Sequence, residues 1–175
     1  DDLLYCSSEA GLGVHFGTAA GTLTDAELIY SPGAIIDFYV ADITGDNHLD
    51  VIVGRAEEAR WLAGVGNGSF GTPQLLSSAY TTVTSVFAED LDDDNDLALL
   101  LAVAGNDQLV WHENLGDGSF GDYQVIEANY NYPISVYAAD FDGDELPDIV
   151  CANWGEDDEV GAGIVWYRNL GGGEF

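Results

Sequence analysis

Three short stretches of this chain crowd acidic oxygens together at a spacing suited to holding a hard cation. They are Asp42 to Asp50 (DITGDNHLD), Asp90 to Ala98 (DLDDDNDLA) and Asp140 to Asp148 (DFDGDELPD). Read as D-x-D-x-D-x-x-x-D, each puts side-chain oxygens at alternate positions of a tight turn. Ca²⁺ takes about six to eight oxygen ligands at roughly 2.3–2.6 Å. Carboxylates packed this closely repel one another unless a cation sits among them. Asp and Asn also favour ordinary β-turns, so one such stretch alone would decide nothing. Three of them, starting 48 and then 50 residues apart and each set between apolar runs, point to calcium.

The third loop is the most complete. Asp140, Asp142, Asp144 and Asp148 supply carboxylates, Gly143 allows the bend, and Leu146 offers its backbone carbonyl. The first loop offers Asp42, Asp46 and Asp50, with Thr44 as a hydroxyl or carbonyl ligand. His48 is expected to give its carbonyl, because imidazole suits Ca²⁺ poorly. The middle loop has Asp90, Asp92, Asp94 and Asp96, but its ninth place is Ala98. Weaker binding is expected there, or a ligand set completed by water or by Asp93. The spacing matches the first half of an EF-hand loop, except that strands rather than helices flank it. About two to three Ca²⁺ ions follow from these ligand sets, each pinning the link between two strands.

The elements that must hold these loops repeat with them. Trp61 to Phe70 (WLAGVGNGSF), Trp111 to Phe120 (WHENLGDGSF) and Trp166 to Phe175 (WYRNLGGGEF) align without gaps, and Val14 to Leu23 is a worn fourth copy. One unit of about 50 residues reads as four short strands, since β-branched and aromatic runs bounded by Gly, Asn and Asp are strand signals. The first strand is Ala34 to Ala41, Thr82 to Ala88 or Pro133 to Ala139. The aspartate loop follows, then an apolar second strand, a third carrying the tryptophan, a glycine-rich turn and a fourth. No stretch sustains a helical period.

Four strands per unit at this period is the arithmetic of β-propeller blades. The expected fold is all-β: about three and a half blades of four-stranded antiparallel sheet, 14 strands grouped 3, 4, 4 and 3 over residues 1–33, 34–81, 82–132 and 133–175. A blade cannot bury both its faces alone, so the tryptophans, with Phe70, Phe120 and Phe175, are expected to pack blade against blade. The two end blades are incomplete, and open sheet edges invite pairing with another strand. Further blades of the same polypeptide, or another copy, would supply it.

These residues resemble the FG-GAP/VCBS repeats: an aspartate loop followed by Asp-Ile-Val, then Trp, then Asn-x-Gly-Asp-Gly-Ser-Phe. Phe70-Gly71 and Phe120-Gly121 carry the "FG" itself. The resemblance implies a propeller with calcium held in the loops, of the kind found in integrin α-subunits, fungal lectins and many secreted proteins. Departures are Thr44, Ala98, the worn first turn and an acidic insertion at 155–160.

The charge balance narrows the function. Against 32 acidic residues stand three arginines and no lysine, a net charge of −29. Nucleic acid and anionic membrane surfaces are poor partners for such a chain, and no apolar run reaches the roughly 18 residues of a membrane span. Counter-ions, divalent cations first, must relieve the self-repulsion. The absence of methionine and the Asp1-Asp2 opening are expected of a mature or trimmed piece. Catalysis is not expected: His15, His48 and His112 lie in repeat-equivalent strands or loops without an elbow motif, and zinc-ligand spacing is lacking. Asn67-Gly68-Ser69 is a glycosylation sequon. Tyr130, Tyr132 and Tyr137 could stack a sugar, though packing between sheets suits them better. Cys6 and Cys151 read as buried thiols; a disulfide is open to them outside the cell, though neither spacing nor number argues for it. The expected function is an extracellular or cell-surface, calcium-binding module for protein adhesion or assembly. The alternative is a calcium-dependent, lectin-like module that binds glycans.

Overall fold

The computed structural model describes residues 2–7, 11–31, 33–155 and 163–175; most of the acidic insertion lies outside them. Among the described residues there are 14 strands and a single 3₁₀ turn, Ala104–Asn106. The first sheet joins β1 (Leu3–Ser7), β2 (Gly11–His15) and β3 (Glu27–Tyr30). The second joins β4 (Asp37–Ala41), β5 (Asp50–Gly54), β6 (Ala59–Leu62) and β7 (Gln74–Ser77). The third joins β8 (Val83–Glu89), β9 (Ala98–Val103), β10 (Gln108–His112) and β11 (Gln124–Ala128). The fourth joins β12 (Pro133–Ala139), β13 (Asp148–Asn153) and β14 (Gly163–Tyr167). Each is an antiparallel meander in chain order. No described helix is long and apolar enough to cross a membrane.

The ladder of β4 starts at Asp37, three residues later than the expected Ala34. Gly33, at φ 97°, turns the chain just before it. Ile36 reaches the sheet only through its N–H, which donates to Gly54 O at 3.0 Å.

The sheets stack face to face with an apolar layer between each pair. β9 shows how the sequence does this. Leu99, Leu101 and Val103 enter the layer shared with the second sheet, while Leu100 and Ala102 enter the layer shared with the fourth. Side chains alternate across a strand, so the run ALLLAV buries one strand on both faces. β5 repeats the arrangement: Ile52 faces the third sheet, and Val51 and Val53 face the first. Each such fully buried side chain contributes about 1.5–3 kcal/mol.

β4, β8 and β12 lie side by side. The residue three before each loop's first aspartate is aromatic, and the three rings form a ladder. Tyr39 to Phe87 and Phe87 to Tyr137 are both 4.7 Å between centroids. Every aspartate loop therefore leaves the same end of its sheet, joining first strand to second.

Trp61 and Trp111 are each 3% exposed. Trp61 meets the Phe120 ring edge-on at 5.6 Å, and Phe175 packs on the cluster containing Trp111. The expected blade-to-blade role holds for both. It does not hold for Trp166, which is 50% exposed, because no described sheet covers that face of β14. The tyrosines also divide: Tyr130 is buried and donates to Cys151 O at 2.8 Å, whereas Tyr132 and Tyr137 are exposed. Both cysteines are free thiols; Cys151 is buried and Cys6 half-buried.

Candidate metal centre

The three aspartate loops share one backbone design. The first-place carboxylate winds the turn by accepting N–H groups further along it. Asp42 accepts from Asp46 and Asn47 (3.0 and 2.8 Å). Asp90 accepts from Asp93, Asp94 and Asn95 (2.9, 3.2 and 3.0 Å). Asp140 accepts from Gly143, Asp144 and Glu145 (2.7, 3.2 and 3.1 Å). The fifth-place carboxylates Asp46, Asp94 and Asp144 each accept the N–H of the seventh residue. The sixth residues are all left-handed: Asn47 at φ 66°, Asn95 at 73° and Glu145 at 72°. Asn tolerates that conformation; Glu145 adopts it at some strain.

The ninth-place aspartate is the first residue of the second strand, and Asp50 and Asp148 are fully buried. Asp50 accepts from Ile43 and Thr44 (both 2.9 Å) and from Gly64 (2.7 Å). Asp148 accepts from Phe141 (3.2 Å) and Asn169 (2.9 Å). Both are clasps tying the start of the loop to the turn after the third strand. Ala98 cannot make this clasp, and its methyl group lies in the core instead.

The seventh side chain leans on the glycine turn. The His48 ring lies where a Cβ on Gly66 would stand, and Asp96 Oδ2 is 2.8 Å from the corresponding point at Gly116. Asp96, expected as a carboxylate ligand, thus faces the turn.

Two of the loops gather three carboxylates whose oxygens lie within 4.8 Å of one another: Asp90, Asp92 and Asp94, and Asp140, Asp142 and Asp148. Asp42, Asp46 and Asp50 do not form such a group. Asp50 turns inward to its clasp, and Asp46 pairs with the His48 imidazole at 3.3 Å. The first loop instead holds Thr44 Oγ1 buried within the turn, beside Asp46. Hard oxygen donors only, crowded in one turn, fit Ca²⁺ better than softer metals. Bound there, Ca²⁺ would neutralise the cluster and tie first strand to second. The residues that would hold it are Asp90, Asp92 and Asp94 in the middle loop and Asp140, Asp142 and Asp148 in the third.

The electrostatics of the two clusters differ. Asp92 is pushed up to about 6, first by burial and then by the charges of Asp94, Asp90 and Glu113. Asp144 is held below the usual carboxylate range, first by the Leu146 N–H and then by Arg168. Arg168 Nε is 2.7 Å from Asp142, and its Nη2 donates to Asp144 at 2.9 Å. Sequence reasoning missed Arg168, although it is one of three arginines in a strongly acidic chain.

It also missed two asparagines. Asn114 Nδ2 donates to Leu97 O in its own loop (3.2 Å) and to Ile43 O in the preceding one (2.9 Å). Asn169 Nδ2 does the same to Pro147 O (3.0 Å) and Leu91 O (2.9 Å). Asn67 lies exposed in its turn, with its Oδ1 accepting from Ser69 N–H and Oγ.

The FG-GAP-like repeat profile matches twice, over residues 42–101 and 90–151, together more than half of the chain. This chain belongs to the FG-GAP-like repeat family. Each match begins at the first aspartate of a loop and runs into the second strand of the next unit. No curated protein matches the FG-GAP chain. Among solved structures, it is similar to an Agrocybe aegerita lectin described as recognising non-reducing terminal N-acetylglucosamine. The TM-score is 0.66 at 19% identity, over 99% of this chain and 51% of the lectin. It is also similar to the Tc holotoxin pore of Photorhabdus luminescens, with a TM-score of 0.56 at 14% identity, over 95% of this chain and 8% of that one. The FG-GAP chain thus spans about half of the lectin and a small part of the toxin. At these identities the likeness establishes the β-propeller fold alone.

Proposed function

We propose that this chain is an extracellular, calcium-binding propeller module that docks protein surfaces in adhesion or assembly and carries out no chemistry of its own. The observation that carries this reading is the apolar face of β14, which no described sheet covers. Trp166 is half exposed in a register where Trp61 and Trp111 are buried, and Ile164 beside it is 77% exposed. Large apolar patches on soluble proteins mark interaction sites, and among the described residues no strand pairs with the outer edge of β14, an arrangement that invites a further strand. The occupant is a further blade-like unit, from the same polypeptide or from another subunit. Calcium in the aspartate loops would hold the sheets rigid enough to present that face.

Sedimentation of the wild type and of Trp166→Asp, each with calcium and with EGTA, tests it. Concentration-dependent association that Trp166→Asp abolishes supports the reading. A chain that stays monomeric at every concentration, and whose melting temperature ignores EGTA, contradicts it.

A second reading, calcium-dependent glycan binding, is favoured by the lectin neighbour and by a cleft of about 260 Å³ between the first and second sheets. Phe16 and Phe70 bring aromatic faces to that cleft, and Asn47, His48 and Ser69 bring polar groups. A glycan array probed with and without chelator separates the two readings.

A further inference from the structure

The residue two places after the motif tryptophan differs in every unit: Ala63, Glu113 and Arg168. In the fourth sheet, the Arg168 guanidinium bridges Asp142 (2.7 Å) and Asp144 (2.9 Å) of the third loop. A charged planar donor shared between two carboxylates does part of what a bound cation would do: it neutralises charge and fixes their separation. In the third sheet the same register holds the half-buried Glu113, packed beside Gly121, so a negative charge stands where the fourth sheet has the bridging positive one. The two loops are close in sequence and backbone, yet one is compensated from within and the other is made more anionic.

We propose that this position sets each loop's demand for a cation. Arg168 is a resident counter-ion that holds the third loop together without metal and competes with an incoming ion, while Glu113 makes the middle loop the tighter calcium site. This reverses the order expected from the loop sequences alone, in which Ala98 marks the middle loop as the weaker. The calcium arm of the inference rests on the calcium reading above; the metal-free arm does not.

The test uses the whole chain. Calcium is titrated calorimetrically into Arg168→Gln in an Asp92→Asn background, which silences the middle loop. Glu113→Gln and Glu113→Arg are titrated in an Asp142→Asn background, which silences the third. Arg168→Gln is expected to tighten calcium binding roughly tenfold, and the Glu113 variants to weaken it by a similar factor, the scale of one neighbouring unit charge at a partly exposed site. In EGTA, Arg168→Gln is expected to melt lower than its parent and Glu113→Gln higher. Unchanged affinities together with unchanged EGTA melting temperatures would overturn the proposal. If no variant binds calcium, the calcium reading fails, and the EGTA melts alone decide whether Arg168 is a counter-ion. Should Glu113→Arg not fold, Glu113→Gln carries that arm.

Discussion

The side-chain amide of Asn169 crosses from the fourth sheet to donate to Leu91 O of the third, 2.9 Å away. Asn114 makes the equivalent reach from the third sheet to Ile43 O of the second. Both bonds are buried, and each amide also holds a carbonyl of its own loop. Replacing either asparagine with alanine strands two carbonyls, at about 1–3 kcal/mol. Calorimetry is expected to show the melting temperature falling by roughly 2–4 °C per kcal/mol for a chain of this size. Asn169→Asp keeps the acceptor for the Gly171 N–H but loses both donors, so it is expected to melt no higher than Asn169→Ala.

Asp50 and Asp92 are both loop aspartates with opposite expected behaviour. Asp50 is a buried acceptor of three backbone N–H groups, and Asp50→Ala is expected to cost about 3 kcal/mol or more. That loss is the same with calcium or EGTA. Asp92 sits among like charges, so Asp92→Asn is expected to raise the EGTA melting temperature by roughly 1–3 °C and to reduce the gain on adding calcium. A lower EGTA melting temperature for Asp92→Asn would contradict the repulsion argument.

Tyr80 and His112 form a buried pair with a pH signature. Gly121 O can only accept, so His112 Nδ1 donates to it (2.8 Å) and Nε2 accepts the Tyr80 hydroxyl (2.6 Å). The neutral ring satisfies both bonds, and burial holds His112 below its ordinary 6.5. The unfolded chain therefore takes up this proton first as pH falls. The contribution is complete above about pH 6.5 and is lost progressively as pH drops below it. Urea melts between pH 7.5 and 5 are expected to show that loss, with a shallower slope in His112→Gln. Equal slopes would remove His112 from the account.

Trp61 and Trp166 hold the same place in the repeat and should respond differently to truncation. Trp61→Ala opens a cavity under Phe120 and is expected to cost about 3–5 kcal/mol. Trp166→Ala, on the uncovered face, is expected to cost under about 1 kcal/mol in the isolated chain. Chemical denaturation of both variants provides the comparison.

The strand order, the grouping of strands and the position of the aspartate loops could be read from the chain because they are local. Turn residues recur at a fixed period, and apolar runs such as ALLLAV sit between them. What escaped notice depends on groups far apart in sequence. Asp50 and Asp148 read as loop ligands, and their second role as clasps could not be read there, because Asp50 also accepts the N–H of Gly64 and Asp148 that of Asn169, across the sheet. Asn114 and Asn169 could not be picked out because one acceptor of each lies in the preceding unit. Arg168 is 24 residues from Asp144 and invisible to any reading of the loop alone. The exposure of Trp166 depends on which sheet lies beside it, which its own motif does not encode.

The aspartate turns are wound by their own backbone N–H groups, with Asn47, Asn95 and Glu145 already left-handed. A cation entering such a turn meets a preorganised cradle, so little chain entropy is lost on capture. Uptake would then be limited by shedding hydration water, and release would leave the stacked sheets in register. A module built this way would respond to changing ion levels by stiffening and softening at one end of its sheets, without refolding.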